Sequence, residues 1–281
     1  MPEETKRYHL YHAEATVLEG HLRLPLVQQI KSQAYARLAE TGGYLAQHEG
    51  HYKLEGVISF RSAYTQVAGN PGLKPGHGWT TLATSVVEGL NVLDVVTADR
   101  VVAQLSVDHP LEGYVPTVTF LGTRFENLKI SGHEVKLDLN PNLFGPKPKD
   151  DAPYTRSKSF LDAVEGQHER VSGHPNLLGD LLRRYTGLSR TAETPEAVEC
   201  TLVNQASGSF PGQCFGHVIE VPDFGTICLA NVRLHQSDYD PGTGTPKKTQ
   251  VDLTMIDIKM GCLADGSTQV GSGKTNGTTK P

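Results

Sequence analysis

Residues 86–139 read VVEGLNVLDVVTADRVVAQLSVDHPLEGYVPTVTFLGTRFENLKISGHEVKLDL. Short runs of β-branched and aliphatic residues alternate here with turn signals. VVEGLNVLDVV, RVVAQLSV, TVTFLGTRF, ENLKI and EVKLDL are the runs; TAD, DHPLEGYVP and SGH separate them. Strands at this spacing predict a mainly β protein, an antiparallel sandwich or a barrel-like sheet. Nothing in the stretch carries a catalytic motif.

Composition agrees with many short strands. The chain has 281 residues, 29 of them Gly and 17 Pro, and only 7% are aromatic. Turn formers are abundant and bulky core residues are few. The length suits one large β domain or two modest ones. The formal charge is −5, from 26 basic and 31 acidic residues. No basic stripe offers a nucleic-acid surface, and nothing favours an anionic membrane. The N-terminus, MPEETKRYHLYH, has no apolar core of a signal peptide, and no run approaches the roughly 18 apolar residues of a membrane span. The chain reads as soluble with no visible export signal, although a chain with its leader removed would read the same.

Outward from the central stretch, residues 7–18 alternate with a period of two. His9, Tyr11, Ala13, Ala15 and Val17 share one strand face; His12, Glu14 and Thr16 share the other. Residues 28–40 are ambiguous, since Ile30, Ala34 and Leu38 would fit one helix face, but a hairpin turn at Thr41-Gly42-Gly43 between two extended runs accounts for the glycines. After GPKPKDDAP at 145–153, residues 157–171 and 176–188 show helical periodicity, with SRTAETPE at 189–196 behind them. Strands resume at 197. Pro222-Asp223-Phe224-Gly225 and residues 237–248 read as hairpin loops. The apolar set changes parity from Val251, Leu253 and Met255 to Ile256, Ile258 and Met260, which predicts a β-bulge at 255–256. The expected organisation is a β-rich body from 1–145 plus 198–263, a helical hairpin insertion at 146–197, and a flexible tail at 264–281. That tail is nearly devoid of apolar residues.

Motif tests exclude more than they assign. GSGKT at 271–275 lacks the upstream glycine and the following helix of a phosphate loop, because residue 268 is Thr. Asp223-Phe224-Gly225 has no companion kinase motifs. No nucleophile elbow and no HExxH occurs. The cysteines, Cys200, Cys214, Cys228 and Cys262, form no CxxC pair. Cys228 falls in step with Ala230, Val232 and Leu234 and reads as a buried thiol.

Histidines and carboxylates are the remaining chemical material. His12 and Glu14 share a strand face and could chelate together. His48, Glu49 and His51 lie beside a turn. Asp238 and Asp240 stand two apart in a glycine loop of the kind calcium uses. A zinc or calcium site would have to be assembled from several strands. Surface histidines and solvated turn carboxylates are the plainer reading, so no cofactor is predicted. The leucines 177, 178, 181 and 182 of the helical insert either pack on the body or form a partner-binding lid.

VVEGLNVLDVVTADRVVAQ and TFLGTRFENLKISGHEVKL resemble the strand run and following hairpin of β-rich bacterial proteins of the choice-of-anchor type. That resemblance implies no catalytic residues. The expected function is a non-catalytic structural, binding or self-assembling module, with a protein partner or a second copy as the occupant of its surface. The alternative is a small-molecule or metal-dependent enzyme with a His/carboxylate site.

Overall fold

The computed structural model describes residues 7–24, 27–54, 56–72, 78–173, 197–261 and 265–280. The chain is mainly β, in antiparallel sheets. β1 Tyr8–Leu10, β2 Ala13–Leu24, β3 Gln28–Gln33 and β4 Ala36–Arg37 enter the first sheet. β5 Gly43–Glu49, β6 Tyr52–Leu54, β7 Ile58–Phe60, β8 Ser62–Pro71, β9 Trp79–Val92, β10 Val96–His109, β11 Thr117–Thr119, β12 Arg124–Glu126, β13 Lys129–Ile130 and β14 His133–Glu134 make the second. β15 Lys136–Leu139 precedes α1 Lys158–Ser172 and β16 Ala197–Thr201; β17 Val203–Ser207 pairs back with β15. β16, β18 Gln213–Phe215, β19 Val218–Val221, β20 Gly225–Tyr239, β21 Pro246–Gly261 and β22 Asp265–Lys280 complete the first sheet. Each sheet has ten strands among the described residues, and neither closes into a barrel.

The two sheets pack together. β9 contacts β22, β10 contacts β21 and β22, and β2 contacts β8 and β9. One apolar cluster joins them, with Val17, Ile256, Ile258 and Val270 from one sheet and Val87, Val101 and Leu105 from the other. Burying a side chain of this size contributes about 1.5–3 kcal/mol. Thr41-Gly42-Gly43 does not turn a hairpin. β5 pairs with β8, so the positive-φ glycines carry the chain from one sheet to the other. The hairpins at 222–225 and 239–246 are present.

A crease crosses the first sheet. Consecutive residues turn inward at Val17/Leu18, Leu229/Ala230, Met255/Ile256 and Val270/Gly271, and all are buried. The paired positions skip one residue on both strands at once: Leu229↔Ile256 is followed by Asn231↔Thr254, and Ile256↔Val270 by Thr254↔Ser272. The parity change at 255–256 is therefore real, but the expected inserted residue is not. β2, β20, β21 and β22 all change face along one line, so the register between these strands survives without a bulge. Ala230 (φ 48°) and Gly271 (φ 65°) supply the left-handed bend. The second sheet bends at Gly89 (φ 64°), where β9 passes from inward Val87 to inward Leu90.

The flexible tail is corrected outright. Residues 265–280 form β22, an interior strand bonded to β21 on one side and to β2 and β1 on the other. Its low apolar content misleads because the sheets approach closely there. A methyl group on Gly273 would stand 3.4 Å from Ala83 Cβ in the opposite sheet. Gly271, Gly273, Thr275, Gly277 and Thr279 face inward, while Ser272, Lys274, Asn276 and Thr278 are more exposed. A thin interface needs glycine and threonine, not leucine.

Of the helical insert, α1 matches the expected first helix and begins after Ser157. Residues 176–188, including the leucine lid, and 189–196 lie outside the described residues. α1 buries Phe160 and Val164 beside Phe144 and Tyr154. It also seals the edge of β16. Gln167 Nε2 donates to the Thr201 carbonyl at 2.9 Å, and Gln167 Oε1 accepts from the Thr201 N–H at 3.0 Å. His168 Nε2 donates to the Glu199 carbonyl at 2.7 Å. Val171 reaches Val218 and Cys228. Cys228 is buried, but on the opposite face from Ala230, Val232 and Leu234, because the crease falls between them.

Candidate functional site: a polar trough over the crease

Two successive inward residues leave a gap in the outward row. On β21 the outward neighbours are Thr254 and Asp257, on β22 Gln269 and Ser272, on β2 Thr16 and Glu19. Each pair is three positions apart, about 10 Å of chain, where a flat strand would repeat every two. The gaps line up across adjacent strands and open a trough of about 350 Å³ on the outer face of the first sheet.

Its lining is polar. Glu14, Glu19, Glu199, Asp252 and Asp257 supply five carboxylates; Arg233 and Lys274 supply two cations. Asn231, Thr254, Gln269 and Ser272 add neutral donors and acceptors, and Tyr35, 43% exposed, adds one aromatic ring at the β2 side. Asp257 is the deepest carboxylate, 5% exposed. Arg233 Nε lies 3.5 Å from Glu199 Oε1, and Gln250 Nε2 donates to both Asp252 oxygens at 3.3 and 3.0 Å. Asn231 bonds to His217, whose burial drives its pKa down to about 3, so that ring is neutral at pH 7.

Glu14 organises the other wall. His12 Nε2 stands 3.4 Å from Glu14 Oε1, and Arg37 Nε lies 3.5 Å from the same oxygen. The Tyr35 hydroxyl also bonds Glu14, and burial together with that carboxylate raises its pKa. Burial lowers the His12 pKa more than Glu14 raises it, which works against an ion pair with Glu14 at neutral pH.

His12, between β1 and β2, stands beside Glu14, which lines the trough. The other residues singled out from the sequence lie elsewhere. His48 and Glu49 end β5 in the second sheet, with exposed His51 just beyond. Asp238 and Asp240 lie at the β20–β21 hairpin. Asp240 Oδ1 accepts from the Gly242 and Thr243 N–H groups and the Thr243 hydroxyl, and Oδ2 faces Lys247 at 3.5 Å. Those backbone hydrogen bonds lower its pKa. The carboxylate serves its own turn. Among the described residues, no three His, Cys, Asp or Glu side chains converge as a metal group.

Sequence reasoning missed Glu199, Asn231, Arg233, Asp252, Asp257 and Lys274. One signal pointed there: the parity change at 255–256 marks the line where the outward row opens.

A family profile matches residues 9–235, most of the chain. The chain belongs to the DUF8256 family, a domain of unknown function. The DUF8256 region runs from His9 in β1 to His235 in β20 and ends before β21 and β22. Asp252, Thr254, Asp257, Gln269, Ser272 and Lys274 therefore lie beyond the matched residues, while Glu14, Glu19, Tyr35, Glu199, Asn231 and Arg233 lie within them. No curated protein matches the sequence. No helix among the described residues is long and apolar enough to cross a membrane.

Proposed function

We propose that the chain is a non-catalytic β-sandwich binding module. The trough is its ligand site, and a neutral or amino-bearing sugar is its ligand class. The observation that carries this is the lining: five carboxylates against two cations, interleaved with amides and hydroxyls, and one exposed tyrosine ring. Dense, mixed donors and acceptors suit a ligand covered in hydroxyl groups. The carboxylate excess repels phosphates and nucleic acids. An open face with a single aromatic platform suits a sugar ring lying on Tyr35. The resemblance of residues 86–104 and 119–137 to choice-of-anchor proteins, which carries no catalytic residues, supports a role exerted through the surface.

The test is calorimetric titration of the whole protein with neutral and amino-sugar oligosaccharides, beside Asp252→Ala and Arg233→Ala variants. Saturable binding to the wild type that weakens at least tenfold in both variants supports the reading. No binding to either sugar class, or binding indifferent to both substitutions, overturns it. Turnover of the bound sugar would replace it with an enzymatic reading.

A further inference from the structure

Each outer strand of a sheet exposes a row of backbone N–H and C=O groups that can template another strand, and proteins cover or spoil such edges. β16 is covered: side chains of α1 occupy the Glu199 and Thr201 backbone groups. β3 is spoiled. It carries Lys31, its register with β2 shifts between Leu18 and Gly20, and Ala34 behind it has φ 45°. β5 has neither protection. It pairs with β8 in unbroken register from Gly43↔Gly69 to Glu49↔Ala63, and with no other strand among the described residues. Gly43 to His48 are all exposed, Tyr44 at 65%. The strand GYLAQHE has no Lys, Arg, Asp or Pro, and its one carboxylate, Glu49, stands at the end.

We propose that β5 is a homodimer interface: two copies pair β5 with β5, antiparallel, about a two-fold axis through Ala46. A second copy is the occupant because the strand is complementary to itself. Ala46 is the midpoint of the seven residues, so pairing about it uses the full strand. The axis then meets only a methyl group, and no bulky or charged side chain faces its own copy. Tyr44 falls opposite His48 of the mate, on the same face as Ala46, so each exposed ring gains a partner. Leu45 falls opposite Gln47, and Glu49 opposite Gly43. The two Glu49 carboxylates end up about 20 Å apart along the pair and do not repel at close range. The pairing fuses the two second sheets into one continuous sheet. One strand pair buries less than a standard interface, so the association is weak and shows at micromolar concentrations or above.

Sedimentation equilibrium of the whole protein, from low to high micromolar, should give a monomer–dimer equilibrium that Ala46→Lys abolishes without lowering the melting temperature. Cross-linking reads the register, because opposed strand residues lie within disulfide reach. In a background with Cys214→Ser and Cys262→Ser, oxidised Ala46→Cys should form covalent dimers. Tyr44→Cys and His48→Cys should each fail alone and cross-link when mixed. A protein monomeric throughout, a dimer that survives Ala46→Lys, or Tyr44→Cys cross-linking to itself as fast as Ala46→Cys would overturn the proposal.

Discussion

His9 and His109 meet ring to ring at 4.4 Å between centroids, and the Nε2 atom of each is buried without a hydrogen-bond partner among the described residues. They come from opposite sheets, His9 from β1 and His109 from the end of β10. Trp79 stacks on His9 at 5.3 Å, and the Thr279 hydroxyl lies 3.1 Å from His9 Nδ1. Burial holds the His9 pKa down at about 4. Burial, with His9 beside it, holds His109 at about 3. Both rings are neutral at pH 7, which lets them be buried as flat, weakly polar plates.

That burial makes the protein acid-labile in a defined window. His9, His109 and His217 have folded pKa values below the ordinary 6.5, so the unfolded chain takes up protons first as pH falls. Their stability contribution is complete above pH 6.5 and drains away toward pH 4 for His9 and pH 3 for the other two. Between pH 6.5 and 5 each should cost roughly 2 kcal/mol, at 1.36 kcal/mol per unit. Urea titrations at several pH values should show the unfolding free energy falling steeply in this interval, before carboxylates titrate. A flat profile there would contradict the buried neutral rings.

Gly277 lies against the same pair. A Cβ built on it would clash with both Nε2 atoms, at 2.5 Å from His9 and 2.6 Å from His109. The rings are boxed in by Trp79 and Tyr11 and have little room to retreat. Gly277→Ala should destabilise by about 1–3 kcal/mol, the usual cost of overpacking. Gly273→Ala should cost less, since its methyl would touch Ala83 Cβ at an ordinary 3.4 Å. Thermal melts of the two variants check the order.

Deleting residues 265–281 should abolish folding. β22 is bonded on both sides, and its removal separates β21 from β2 and exposes Met255 and Ile256. The loss should exceed the about 5–15 kcal/mol that holds a typical domain folded. Circular dichroism of the truncated chain should lack a cooperative melt; a native-like transition would refute the interior placement of this strand.

Thiol labelling should separate the cysteines by exposure. Cys200 and Cys228 are buried, and burial pushes the Cys200 pKa far up. Cys214 is exposed, with a pKa raised by partial desolvation. In a Cys262→Ser variant, native-state titration at pH 7.5 should find one reactive thiol, slower than free cysteine because less of it is thiolate. Two more should appear only in denaturant. Fast native labelling of three thiols would contradict the packing of β16 and β20.

Strand content, the 222–225 and 239–246 hairpins, the first helix and the parity change at 255–256 were legible in the sequence. Each depends on residues close along the chain: alternation of period two, a proline-glycine turn, a helical stripe. The interior placement of residues 265–280 was not legible, because whether glycine and threonine belong to a tail or a core depends on how closely the facing sheet approaches. The route of Gly42-Gly43 between sheets was equally hidden, since a turn signal does not say which strand comes next in space. The trough needed the tertiary structure most. Glu14, Glu199 and Asp257 are distant in sequence and meet only because β22 inserts between β21 and β2 and the crease falls at the same level on β2, β20, β21 and β22.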